Sequence, residues 1–216
     1  MQRSEVVAFL THEALAAQRV ENLTRSEGTR VCRADLPELL HKELGGYGGA
    51  DGPASAFEAI ELGVAAGTFS ATLLKSRHVK HLFSVDAWDI ENSGHGVEEY
   101  FSVLLDFRGF GDRSTIVRSG FADALYHIPD ASLHFVYIDG NAHTGQEGGE
   151  TIEAWFSKVA PGGMLAGHDY DVVQWPLTYH NVNVFANKHS LTVKFTEACE
   201  DDAPSWYVRA PNTRHR

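Results

Sequence analysis

Cysteine is scarce in this chain. Two occur in 216 residues, Cys32 and Cys199, far apart and in neither a metal-type nor a redox-type spacing, so the expectation is a pair of reduced thiols. Long apolar runs are absent as well. None approaches the roughly 20 residues needed to span a bilayer, and the N-terminus lacks the charged-then-apolar pattern of a signal peptide. The expected setting is the cytoplasm or the soluble phase of an organelle, with no membrane partner. Positive charge is in deficit too: 18 Lys and Arg stand against 29 Asp and Glu, a formal net charge of −11. An acidic surface repels phosphate backbones, which disfavours nucleic acid as a partner. No repeat, low-complexity tract or second domain is visible.

What is present suits an ordinary globular domain, 43% hydrophobic and 22% charged. Apolar residues at helical spacing over 4–20, with Ser4 as cap, predict an N-terminal helix. Its apolar residues Val6, Phe9 and Leu10 can cover this sheet or that of a second copy, which leaves a homodimer open. Over 27–53 the composition turns to Gly, Asp and Pro, interrupted by a short helix over 37–44. The run Gly45-Gly46-Tyr47-Gly48-Gly49 is incompatible with a regular element. Strands are then expected at Phe57–Leu62, 81–86, Ser114–Arg118, 133–139, 164–167, 191–196 and 205–209, and helices at 68–76, 94–107, 146–159 and 182–189. Ala160-Pro161-Gly162-Gly163 should stop the third of these helices.

Such alternation implies an α/β fold: a Rossmann-like, doubly wound, mostly parallel seven-stranded sheet with an antiparallel C-terminal hairpin. One domain over 1–216 is expected, with a helical and loop segment over 1–53 and the Rossmann-like core over 54–210.

In such sheets ligands bind outside the carboxyl ends of the strands. Polar residues stand at five of those ends: Glu61 with Gly63 and Gly67, then Asp86, the stretch Ser119–Asp123, Asp139, and His168 with Asp169. Gly63 permits a positive φ and close approach of a ligand, and Thr68 or Ser70 is a candidate cap for the helix that follows. A dinucleotide site would want a third glycine, which is missing, and Glu61 inside the turn would repel a pyrophosphate. A ligand with a positive centre, an amino-acid tail and a ribose diol fits better, as in S-adenosylmethionine.

Four stretches carry a resemblance: Glu61-x-Gly63-x-x-x-Gly67, Val85-Asp86-Ala87-Trp88, Val136-Tyr137-Ile138-Asp139-Gly140 with His143, and Glu153-Ala154-Trp155 continuing to Pro161-Gly162-Gly163-Met164-Leu165-Ala166-Gly167-His168-Asp169-Tyr170. Together they resemble the class I S-adenosylmethionine-dependent methyltransferases, above all the small group of macrolide and sugar O-methyltransferases. Ser205-Trp206-Tyr207-Val208-Arg209 resembles that group's last strand. The resemblance implies that Gly63, Val64, Gly67 and Thr68 face the cofactor's methionine tail, with Glu61 near its ammonium. It places Asp86 on the ribose hydroxyls, Ala87 and Trp88 beside the adenine, and Ser119, Gly120 and Phe121 along the adenine edge. Asp139 would lie near the methyl donor, and in metal-dependent relatives its counterpart is a ligand together with the acid matching Asp169.

Hard carboxylate oxygens of that kind suit Mg²⁺, which lowers the pKa of a bound hydroxyl. His143 or His168 is the alternative general base. The chain departs from the group in the loop Gly140-Asn141-Ala142-His143-Thr144-Gly145, one residue longer and without its aromatic, and in Thr151, where a helix acid is expected. The leading expectation is O-methylation of a small hydroxylated acceptor. The alternatives are an S-adenosylmethionine-binding protein without methyl transfer and, less favoured, a nicotinamide-dependent oxidoreductase.

Overall fold

The computed structural model describes residues 20–22, 31–44, 57–199 and 203–212. The helix expected over 4–20, which motivated the homodimer, falls outside these residues apart from Val20, as does the glycine run 45–49.

All seven expected strands form. They are β2 (Phe57–Leu62), β3 (Val79–Asp86), β4 (Ser114–Arg118), β5 (Leu133–Ile138), β6 (Val159–Gly167), β7 (Val193–Phe195) and β8 (Trp206–Arg209). A short further strand, β1 (Val20–Asn22), borders the hairpin by pairing parallel to β7. The order across the sheet is β1-β7-β8-β6-β5-β2-β3-β4. Only β8 runs antiparallel to its neighbours, β6 and β7.

The central strands read as near-continuous apolar runs because both faces of a parallel sheet are covered. Phe57 and Ala59 of β2 join Phe135 and Tyr137 of β5 on one face, under α1 (Leu36–Leu44) and α2 (Thr68–Lys75). Ile60, Leu62, Val136 and Ile138 point to the other face, under α6 (Glu150–Phe156) and α7 (Pro176–Lys188). Each of the larger aliphatic and phenylalanine side chains among them contributes about 1.5–3 kcal/mol by leaving water. The remaining helices, α3 (Ile90–Ser93), α4 (Val97–Asp106) and α5 (Phe121–Leu125), follow β3 and β4.

Four sequence expectations need correction. The helix predicted over 146–159 is split: Gly145–Gly148 forms a turn with Gln146 and Glu147 in the left-handed region, and α6 starts only at Glu150. Gly148 and Gly149 share the positive φ, which glycine accepts without strain. Ala160–Gly163 does not merely stop a helix. It already belongs to β6, where a register shift against β5 and a positive φ at Gly162 accommodate Pro161. Helix α7 begins at Pro176, six residues before the expected start, because a proline is well placed in a first helical turn.

The fourth correction concerns the thiols. Cys32 and Cys199 form a disulfide, with Cα atoms 5.7 Å apart across a sequence separation of 167. Spacing along the chain carries no information about this proximity. It arises because the segment before α1 lies beside the one after β7, where Glu197 N donates to Val31 O at 2.9 Å.

Candidate active site

The chain leaves β2 for β3 on one side and returns at β5 on the other, so a crevice opens between the carboxyl ends of β2 and β5. Leu62 and Ile138 are register partners, and Asp139 N donates to Leu62 O at 2.7 Å. Gly63 turns here with φ +92°, and a Cβ on it would collide with the carbonyl oxygen of Asp139. At Gly67, φ is +82° and a Cβ would sit 3.0 Å from the Phe107 ring and 3.1 Å from Val103. The turn itself is stapled by Asp86. One carboxylate oxygen accepts from Val64 N and Ala65 N, both at 2.9 Å, and the other from Trp88 N at 2.8 Å. Neither Thr68 nor Ser70 caps α2, whose cap residue is Gly67. Ser70 Oγ donates to Glu61 instead and touches Ser84 Oγ at 2.8 Å.

A charged cluster lies at the centre of the crevice. Burial pushes the Glu61 carboxyl up to about 8, against the opposing pull of the Ser70 hydroxyl and the Arg33 guanidinium. Burial likewise raises Asp139, and Arg33 and His168 act against it. Arg33 Nη2 donates to Asp139 Oδ2 and lies 3.8 Å from Glu61 Oε1, while its guanidinium covers the rings of Phe69 at 4.4 Å and Tyr137 at 5.2 Å. Behind Asp139, His168 Nδ1 stands 3.0 Å from Asp169 Oδ1 and 3.7 Å from Asp139 Oδ1. Burial disfavours the His168 imidazolium, but the bond to Asp169 and the charge of Asp139 outweigh it, and its pKa is raised. Asp139, His168 and Asp169 bring one donor atom each within 4.8 Å of the others. Two carboxylates and an imidazole fit an oxygen-preferring divalent ion, on the condition that Arg33 yields the Asp139 oxygen.

Two cavities meet at this cluster and share Gly63, Ala65, His95 and Asp139 in their walls. One, about 400 Å³, is lined by Asp86, Ala87, Gly120, Phe121, Asp123, Asn141, His143 and Glu147. The other, about 370 Å³, is lined by Arg33, Glu61, Val64, Thr68, Phe69 and Thr72. Most residues singled out from the sequence therefore converge. Gly67 lines neither cavity and packs against Phe107 and Val103. Trp88 is 1% exposed, donates its indole N–H to Ala65 O at 2.9 Å and packs on Tyr100, so it supports the turn from behind. Ser119 lines a separate surface hollow beside Ala87 and Gly120. His168 and Asp169 are buried and reach the cavities through Asp139.

Sequence reasoning missed Arg33 and His95, which stand in segments with no motif, and Glu147, which stands in the left-handed turn. Glu147 accepts a 2.6 Å bond from Thr151 Oγ1. The threonine found where a helix acid was expected thus holds an acid one turn earlier.

A Rossmann-like sheet with an acid-flanked glycine turn at its switch point is the class I S-adenosylmethionine-dependent methyltransferase architecture. The comparisons agree: a sequence model of the methyltransferase-domain family matches residues 60–170, half of the chain, and the chain belongs to that family. An uncharacterised protein of Sinorhizobium fredii is 30% identical over 92 residues, 42% of this chain; the match spans only 10% of that longer protein. Among solved structures, a Corynebacterium glutamicum protein superposes with a TM-score of 0.57 at 15% identity, over 98% of this chain and 92% of its own. An S-adenosylmethionine-dependent O-methyltransferase of Thermotoga maritima gives 0.57 at 11% identity, over 88% and 70%. The N-methyltransferase NodS of Bradyrhizobium japonicum gives 0.56 at 15%, over 83% and 94%. At such identities these structures share the fold.

Proposed function

We propose that this chain binds S-adenosylmethionine across the two cavities and methylates a hydroxyl oxygen of a small acceptor. The observation that carries this reading is the meeting of the cavities at Gly63 and Asp139. The wall of Asp86, Ala87, Gly120 and Phe121 suits a nucleoside, and the acid-lined pocket beyond suits a cationic amino-acid tail. The absence of a side chain at Gly63 leaves room for the link between them.

In this reading Glu61 receives the ammonium, and Val64 and Thr68 flank the tail. Asp86 takes the ribose hydroxyls, with its carboxylate already aimed by three backbone N–H groups. The cofactor supplies an electrophilic methyl group. The chain's own contribution is to align the acceptor oxygen with it and to exclude water. His143, in the wall of the larger cavity, is the base positioned to take the hydroxyl proton, whereas His168 acts through Asp139. Asp139, His168 and Asp169 would hold Mg²⁺, which lowers the pKa of a bound hydroxyl.

The larger cavity is walled by Asp86, Asp123, Asp139 and Glu147 and by no Lys or Arg among the described residues, which favours a neutral or cationic small molecule over nucleic acid. No helix among the described residues is long and apolar enough to cross a membrane. In the cytoplasmic setting proposed, thiol reductants would hold part of the population without its disulfide.

Calorimetric titration with S-adenosylmethionine and, separately, NAD, with Mg²⁺ or EDTA, tests the reading. Binding of the first alone is expected, abolished in Glu61→Ala. Binding of NAD alone, or unchanged binding in Glu61→Ala, refutes it.

A further inference from the structure

Resting on the cofactor reading above, we propose that Arg33 is the residue that recognises the α-carboxylate of the cofactor's methionine tail. Arg33 lies outside every motif that carries the family resemblance, yet it lines the smaller cavity together with Thr68 and Thr72. Among the described residues it is the one Lys or Arg in the wall of either cavity. The tail of S-adenosylmethionine is a zwitterion. Glu61 and Asp139 complement its ammonium, and without a cation in the same pocket its carboxylate would be desolvated against two acids. A guanidinium beside both acids answers that requirement, since its planar fork matches a carboxylate.

The placement is fixed in advance. The guanidinium rests on Phe69 and Tyr137, and the backbone on either side is anchored. Cys32 is bonded to Cys199, Val31 O accepts from Glu197 N, and Asp35 Oδ2 accepts from Cys32 N at 2.9 Å. A donor held this way loses little freedom when the ligand arrives.

The test compares S-adenosylhomocysteine, which keeps the zwitterionic tail, with 5′-methylthioadenosine, which lacks it, by calorimetric titration of the wild-type chain, Arg33→Ala and Arg33→Lys. Arg33→Ala should weaken S-adenosylhomocysteine at least about tenfold and leave 5′-methylthioadenosine within about twofold, with Arg33→Lys in between. Thermal melting checks that both variants fold, and Arg33→Lys keeps the comparison alive should Arg33→Ala not. Equal loss for both ligands, or no loss for either, overturns the proposal. Tighter binding of S-adenosylhomocysteine by Arg33→Ala also overturns it, by showing that the guanidinium occupies the ammonium's place. A wild-type chain that binds neither ligand overturns the cofactor reading itself, and that result is distinct from the others.

Discussion

Glu61 is a carboxyl buried in the floor of the crevice, and its chemistry sets a pH dependence. Its pKa is raised from 4.5 to about 8, so the folded chain holds a proton there that the unfolded chain releases. The stability this gives is fully present below the unfolded value and is lost as pH rises through about 8. Glu61→Gln keeps the shape and the Ser70 contact while removing the titration. Urea denaturation between pH 5 and 9 should therefore show wild-type stability falling relative to Glu61→Gln, by of order 1 kcal/mol per pH unit up to about pH 8 and levelling off above it. Parallel curves would mean that the carboxyl is already ionised. The same proton matters for binding: a cation arriving beside Glu61 favours the charged form, so cofactor binding at neutral pH should release a proton that Glu61→Gln does not.

Among the elements, the β2–α2 turn concentrates the constraints. Gly63 cannot gain a side chain without displacing the end of β5, and its φ of +92° penalises any other residue. Gly63→Ala should lower stability by roughly 2 kcal/mol or more in urea denaturation and remove measurable cofactor binding. A variant that melts and binds like the wild type would place the crevice elsewhere.

This turn was legible in the sequence because its parts are local. An apolar run ending in Glu61, then Gly63 and Gly67, can be read without knowing what lies opposite, and so can the acids ending β3 and β5. The segment 145–149 was not. Its glycines read as weak helix, whereas five consecutive positive φ values coil it the other way, so that Glu147 faces the cavity. That choice is made by packing: a Cβ at Gly145 would overlap Leu177 and Asn181 of α7. Arg33 was illegible for a similar reason. Its importance comes from Glu61, Phe69, Tyr137 and Asp139, all remote in sequence, and from a disulfide whose two cysteines carry no spacing signal.

Across the whole molecule, the Cys32–Cys199 bond joins the segment before α1 to the one after β7. By restricting the unfolded chain it should contribute about 2–4 kcal/mol. Cys32→Ser and Cys199→Ser should each lose that amount in denaturant titrations, and a phosphine reductant should bring the wild type down to their level while leaving the variants unchanged. Equal stability of all three would show that the bond does not form in solution.

The bond also makes everything between the two cysteines a covalent ring that contains six of the sheet's eight strands, β2 to β7, with β1 before Cys32 and β8 beyond Cys199. A force drawing on the chain outside the two cysteines passes from one to the other through sulfur and does not load β2 to β7. An unfolding machine that threads the chain from either side meets a doubled strand at that point. The crevice sits inside a loop that tension cannot open until the two sulfurs are reduced.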